Sequence, residues 1–272
     1  MTKNVPAVCK PGGALVISDY GADAGVGFEG TTSADLSVPF LGILQSNSPQ
    51  VENDDPKGSK SSMLFNTVTR ELVDGAEGQI FLPCHKETAF VEWVPRAKGG
   101  GFVGLHDPNG DVVKAAIEAN DGNRIGNLTV GDNELSETHY MYGLFLETDG
   151  LTSSGFGVIS FTSTKIKSFR GWITAMYTLK GKPPLFANRA RIRTVKQTNE
   201  HGTFYNFRID PFAATWRESL IYPKTQSELL VEARDFRKMV TSGMARASFE
   251  TERAATGATE GAAENNDGDP PF

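Results

Sequence analysis

Apolar positions along this chain follow two periods, one of strands and one of helices. Residues 79–83 (Gln79-Ile80-Phe81-Leu82-Pro83) and 88–94 (Thr88-Ala89-Phe90-Val91-Glu92-Trp93-Val94) are short, rich in β-branched and aromatic side chains, and punctuated at both ends. They predict two strands. Residues 139–147 and 156–162 predict two more, separated by Asp149-Gly150 and a Ser/Gly stretch. A short helix is expected over 111–120. Over 163–179, Ile166, Phe169, Ile173, Met176 and Tyr177 recur at three- and four-residue spacing, which predicts a helix whose other face carries Lys167 and Arg170. Residues 186–198 and 203–209 form a predicted hairpin around Asn199-Glu200-His201-Gly202. A last helix starts at Thr225, where Thr225-Gln226-Ser227-Glu228 reads as a capping box ahead of an apolar stripe of Leu229, Ala233, Phe236 and Val240. Residues 35–45 are expected to form a short helix with Pro39 in its first turn. No repeat is visible.

The pattern weakens at both ends. Residues 1–34, rich in Gly, Ala and small polar residues, are expected to be a flexible arm; 35–249 form the folded domain. Residues 250–272 are mostly Ala, Gly, Thr and acidic, and cannot bury enough surface to fold, so a disordered acidic C-terminal tail is expected. The fold class is mainly β with a few helices. No run of eighteen apolar residues is present, which excludes a helical membrane span. Met1-Thr2-Lys3-Asn4 leads into Pro11-Gly12-Gly13 rather than an apolar core, so no secretory signal is expected. Two cysteines, Cys9 and Cys84, make no disulfide framework, and the expected home is a reducing cytoplasm. Four scattered histidines offer no metal-ligand spacing. Neither metal nor cofactor is expected.

Charge changes this picture. The formal net charge of -6 hides strong segregation. Residues 1–160 carry 10 basic and 21 acidic side chains, 161–217 carry 11 basic and 2 acidic, and 250–272 carry 1 basic and 6 acidic. A basic segment followed by an acidic end points to a polyanionic partner.

The hairpin concentrates that charge. Arg189, Arg191 and Arg193 alternate, so they share one strand face, with Ala190 and Ile192 on the other. Successive arginines then lie roughly 6.6 Å apart, comparable to phosphates along an extended nucleic-acid strand. If Thr198 pairs with Thr203, Arg193 faces Arg208, and Phe204 and Asn206 share their surface while Tyr205, Phe207 and Ile209 turn inward. Like charges directly opposed destabilise a sheet unless something anionic lies across them. Guanidinium groups beside an aromatic ring suit single-strand binding, with charges tracking phosphates and rings stacking on bases. The expected contacts are Arg189, Arg191, Arg193, Lys196 and Arg208 to phosphates, helped by Lys165, Lys167 and Arg170, with Phe204 and Trp172 stacking. Arg96 and Lys98 flank a glycine loop that is also expected to follow a phosphate backbone.

That loop, residues 99–104, formally matches G-x-G-x-x-G, but a turn rather than a helix follows Gly104 and no βαβ unit surrounds it. Cys84-His85 adjacency does not supply an oriented nucleophile and base. Cys84 is expected in the core, and the chain is not expected to be an enzyme.

The chain ends Asp267-Gly268-Asp269-Pro270-Pro271-Phe272 after an acidic run. This resembles the tail of bacterial and phage single-stranded-DNA-binding proteins, which ends in Pro-Phe or a lone Phe. It departs from the bacterial tip in having Pro270 where an aliphatic residue is usual. Stretches 38–45, 90–96 with 99–104, and 163–167 resemble replication modules of tailed phages. The resemblance implies an elaborated OB-like barrel that coats single-stranded DNA in the host cytoplasm during replication, recombination and repair. It also implies a tail in which Asp267, Asp269, Pro270, Pro271 and Phe272 recruit a polymerase, helicase or nuclease, with self-association left open. A strand-annealing recombination protein, a nucleotide-dependent enzyme using the glycine loop, and a protein-docking or virion component are the rival readings.

Overall fold

The computed structural model describes residues 23, 26–31, 37–124, 126, 128–199 and 202–247. The expected arm and the acidic tail therefore lie almost wholly outside the described residues.

Residues 37–43 form two short strands, β1 (Ser37–Val38) and β2 (Leu41–Ile43), instead of the expected helix. Val38 to Leu44 are buried without interruption. Burial on all sides erases any helical stripe, and Pro39 falls between the two strands, where no ladder bond needs its missing N–H. A four-residue helix, α1 (Pro49–Glu52), precedes β3 (Leu64–Asn66) and β4 (Leu72–Val73), which complete an antiparallel sheet with β2.

The two strands expected over 79–94 are one, β5 (Gln79–Trp93), which passes Pro83 through a register shift. Then come β6 (Phe102–His106), α2 (Asp111–Ala119), β7 (Leu128–Val130), β8 (Asn133–Leu146) and β9 (Ser153–Thr162). The helix expected after them is α3 (Ile166–Tyr177), entered through a 3-10 turn at Ser163–Lys165. The predicted hairpin is β10 (Ala190–Asn199) with β11 (Gly202–Pro211), and Thr198 pairs with Thr203 as expected. α4 (Ser227–Thr241) buries Leu229, Leu230, Ala233 and Phe236, but its N-terminus shows no side-chain capping bond, so the predicted box does not form. A short strand, β12 (Arg246–Ala247), pairs in parallel with β1.

The main sheet runs β11-β10-β5-β8-β7, with β9 on the other stretch of β8 and β6 on the far half of β5. Segment 38–45 curls it into a barrel. On one side, Val158 donates its N–H to Pro39 O at 2.9 Å, next to a parallel bridge between Phe40 and Val158. On the other, the Gln45 amide donates to Tyr205 O and accepts from Tyr205 N–H, both at 2.8 Å. A β5-β8-β9 meander, a helix, and a β10-β11 hairpin returning to β5 give the mainly β, OB-like arrangement expected from the sequence.

Two apolar layers hold it. Leu41, Ile43, Phe81, Met141, Ile159, Phe161, Ile192 and Phe207 fill the barrel with Phe169, Trp172 and Met176 of α3. Outside, Leu82, Val91, Tyr140, Tyr142, Leu144 and Val158 are covered by α4. Each such side chain contributes about 1.5–3 kcal/mol on burial. Cys84 lies in this outer layer, as expected, and burial pushes its pKa up to about 12, leaving an inert thiol.

Candidate nucleic-acid interface

β10 pairs with β5 only over Ala190–Ile192, and Thr194 ties it further, through its N–H to Gly75 O at 2.9 Å and its hydroxyl to Ser62 O at 2.8 Å. Opposite Val195 and Lys196, Asn206 and Tyr205 hold β11 to Thr164 and Gln45, and past them the β10–β11 ribbon is exposed at its tip, residues 197–199 and 202–203. Its outer face holds Arg191, Arg193, Val195 and Gln197 on one strand, opposite Asp210, Arg208, Asn206 and Phe204 on the other. Tyr205, Phe207 and Ile209 turn inward with Ile192. The predicted register is present, but Asn206, expected on the exposed strip with Phe204, is only 2% exposed, covered where it bonds Thr164 O ahead of α3.

The anion needed across the Arg193–Arg208 pair is internal. Asp210 lies 3.5 Å from Arg193 Nη1 and 3.0 Å from Arg208 Nε. Arg193 also packs over Gly78, whose φ of +77° and 2.6 Å gap between a notional Cβ and Arg193 Cγ leave no room for a side chain. Arg191 donates to Glu77 O at 3.3 Å and lies over the Phe212 ring at 6.0 Å. All three arginines keep accessible surface on this face.

Two expected contacts are corrected. Arg189 is only 5% exposed and precedes β10; it donates to Ser219 O, Gly150 O and Leu220 O at 3.1, 2.8 and 3.4 Å and stacks on Phe212 at 4.6 Å. It stitches loops together and presents no charge to solvent. Trp172 is 2% exposed, packed edge-on against Phe81 and tilted against Phe161, so neither ring face meets a base. A third expected contact, Lys196, is exposed but points to the opposite ribbon face, across from Tyr205.

α3 extends the surface. Asn206 Nδ2 donates to Thr164 O at 3.2 Å and to Gln197 Oε1 at 3.0 Å, and Ser168 Oγ donates to Phe207 O at 2.9 Å. These bonds set Lys165 beside the ribbon and leave Lys167 and Arg170 exposed on the helix. Lys86, a residue the sequence pattern did not single out, joins Arg170 near His139, whose ring stacks on Phe169 at 4.5 Å. Burial is the main cause holding the His139 pKa below its ordinary value, and these cations add to it. Tyr177, expected in the apolar stripe, is instead 66% exposed, with Lys182 Nζ 4.6 Å from its ring centre.

Arg96 and Lys98 are not brought to the ribbon. They sit in the 3-10 turn after β5, at the opposite end of a 15-residue strand from the Gln79–Phe81 stretch that carries β10. Lys98 pairs with Asp132 at 2.8 Å. Gly99, Gly100 and Gly101 turn the chain from β5 into β6, and Gly104 lies within that strand, so no helix N-terminus follows the loop to receive a pyrophosphate. Among the described residues no His, Cys, Asp and Glu side chains gather into a metal-holding set, and no helix is long and apolar enough to cross a membrane. Asp267, Asp269, Pro270, Pro271 and Phe272 lie outside the described residues.

The family model described as Pam3 phage gp34-like protein matches residues 10–246, and the chain belongs to that phage protein family. Comparison with curated proteins and with solved structures finds no match.

Proposed function

We propose that this chain is a non-enzymatic phage protein that binds and coats single-stranded DNA during replication, recombination and repair. The observation that carries the reading is the outer face of the β10–β11 ribbon, where Arg193 and Arg208 are directly opposed, Arg191 follows, and Phe204 shares the surface. Charges at strand spacing match successive phosphates, and a ring four residues along β11 from Arg208 suits a base, without a sequence code. An OB-like barrel ordinarily offers its second and third strands to oligonucleotides. Here α4 covers the outer apolar layer on β5, β8 and β9, and the ribbon with the exposed side of α3, which carries Lys167 and Arg170, offers a basic path instead. Acidic residues 250–272 are proposed to recruit replication and recombination proteins.

The test is titration of a fluorescent oligo-dT and an equal-length duplex at two salt concentrations. Tighter, salt-sensitive binding of the single strand is expected, because phosphate neutralisation releases counterions. Absence of binding to either overturns the reading.

A further inference from the structure

Asp210 is the acidic residue on an otherwise basic ribbon face, and its carboxylate is shared. Oδ1 accepts from Arg208 Nε at 3.1 Å, while Oδ2 lies 3.0 Å from the same nitrogen and 3.5 Å from Arg193 Nη1. In register it stands directly opposite Arg191. One carboxylate thus serves two guanidinium groups and adjoins a third. The service is loose, since the Arg193 contact is long and Arg193 Nε is buried without a hydrogen-bond partner. Solvent reaches the cluster through Arg208, whose side chain is 61% exposed, while Asp210 is 25% exposed and its Oδ2 is buried toward Arg193. An ion pair open to water on the Arg208 side holds weakly.

We propose that Asp210 is an internal counter-anion, occupying the seat of one backbone phosphate and setting how tightly the ribbon holds a nucleic-acid strand. In the free protein it relieves the repulsion between opposed Arg193 and Arg208. When a strand arrives, a phosphate takes over those guanidinium groups, which favour such oxyanions in paired hydrogen bonds. Asp210 then remains as a nearby like charge and limits affinity. This inference rests on the single-strand reading and adds a residue that tunes it.

The experiment compares the wild-type chain, Asp210→Asn and Glu118→Gln in oligo-dT titrations across a salt series. Glu118, exposed on α2, controls for the change in net charge. Asparagine keeps an acceptor for Arg208, and melting curves verify folding. Asp210→Asn is expected to bind about fivefold more tightly, the scale of one nearby charge at the surface. Its salt dependence should also steepen by up to about 0.7 in log–log slope, one extra phosphate on a single strand. Glu118→Gln should match wild type. If wild type binds and a folded Asp210→Asn binds no more tightly, or if Glu118→Gln gains as much, the assignment of Asp210 is overturned while the single-strand reading stands. If wild type does not bind, both fall.

Discussion

Three arginines at alternate positions, 189, 191 and 193, have different fates, and the difference lies in what surrounds each guanidinium. Arg189 meets three carbonyl oxygens and the face of Phe212, whereas Arg191 and Arg193 keep accessible surface on the ribbon. Arg189→Ala therefore strands buried acceptors and is expected to cost about 3 kcal/mol of stability, read from denaturant unfolding. Arg191→Ala with Arg193→Ala should instead weaken oligo-dT binding alike on all sequences and lower its salt slope by about 1.4, two phosphates on a single strand. An unchanged slope in that double variant would remove the ribbon from the interface. Alternation alone groups these arginines, and no local signal separates them. The carbonyls that claim Arg189 belong to residues 150, 219 and 220, far away in sequence.

At the scale of elements, legibility depends on whether one face or both are buried. The β10–β11 hairpin has a wet face and a dry one, so its alternation and loop residues specify its register. The α3 stripe is legible for the same reason, except at Tyr177, which projects past the covered part of the barrel. Segment 38–45 is wrapped on every side and carries no period, and its place as the closing segment rests on contacts with β9 and β11 that lie more than 100 residues downstream. α4 is legible as a helix but not as the cover of the outer sheet. Its Phe236 is buried and stacks on Phe156 at 5.1 Å. Phe236→Ala is expected to lower stability by about 3 kcal/mol. A loss below about 1 kcal/mol would mean that the helix is a loosely attached lid.

For the whole molecule, acid is the weak side. Burial holds the pKa values of His85 and His139 below their ordinary value, so the folded state resists their protonation. A depressed folded pKa gives stability that is full above the unfolded value, near 6.5, and is lost as pH falls through the folded one. Glu92 adds to this at lower pH: the hydrogen bond from Asn133 at 2.6 Å, and then His106 at 2.7 Å, hold its carboxyl below the usual range. The melting temperature is expected to fall between pH 7.5 and 5.5, and the fall should be shallower with His85→Gln and His139→Gln combined. Removing residues 264–272 should leave oligo-dT affinity equal or higher, since it deletes acidic residues; a large loss would contradict recruitment as that segment's role.

The Gln45 amide has a consequence for how copies meet. By bonding both the N–H and the carbonyl of Tyr205, it acts as a one-residue surrogate strand on the rim of β11. An incoming chain seeking to extend the sheet there finds its template already occupied at that residue, which discourages edge-to-edge polymerisation.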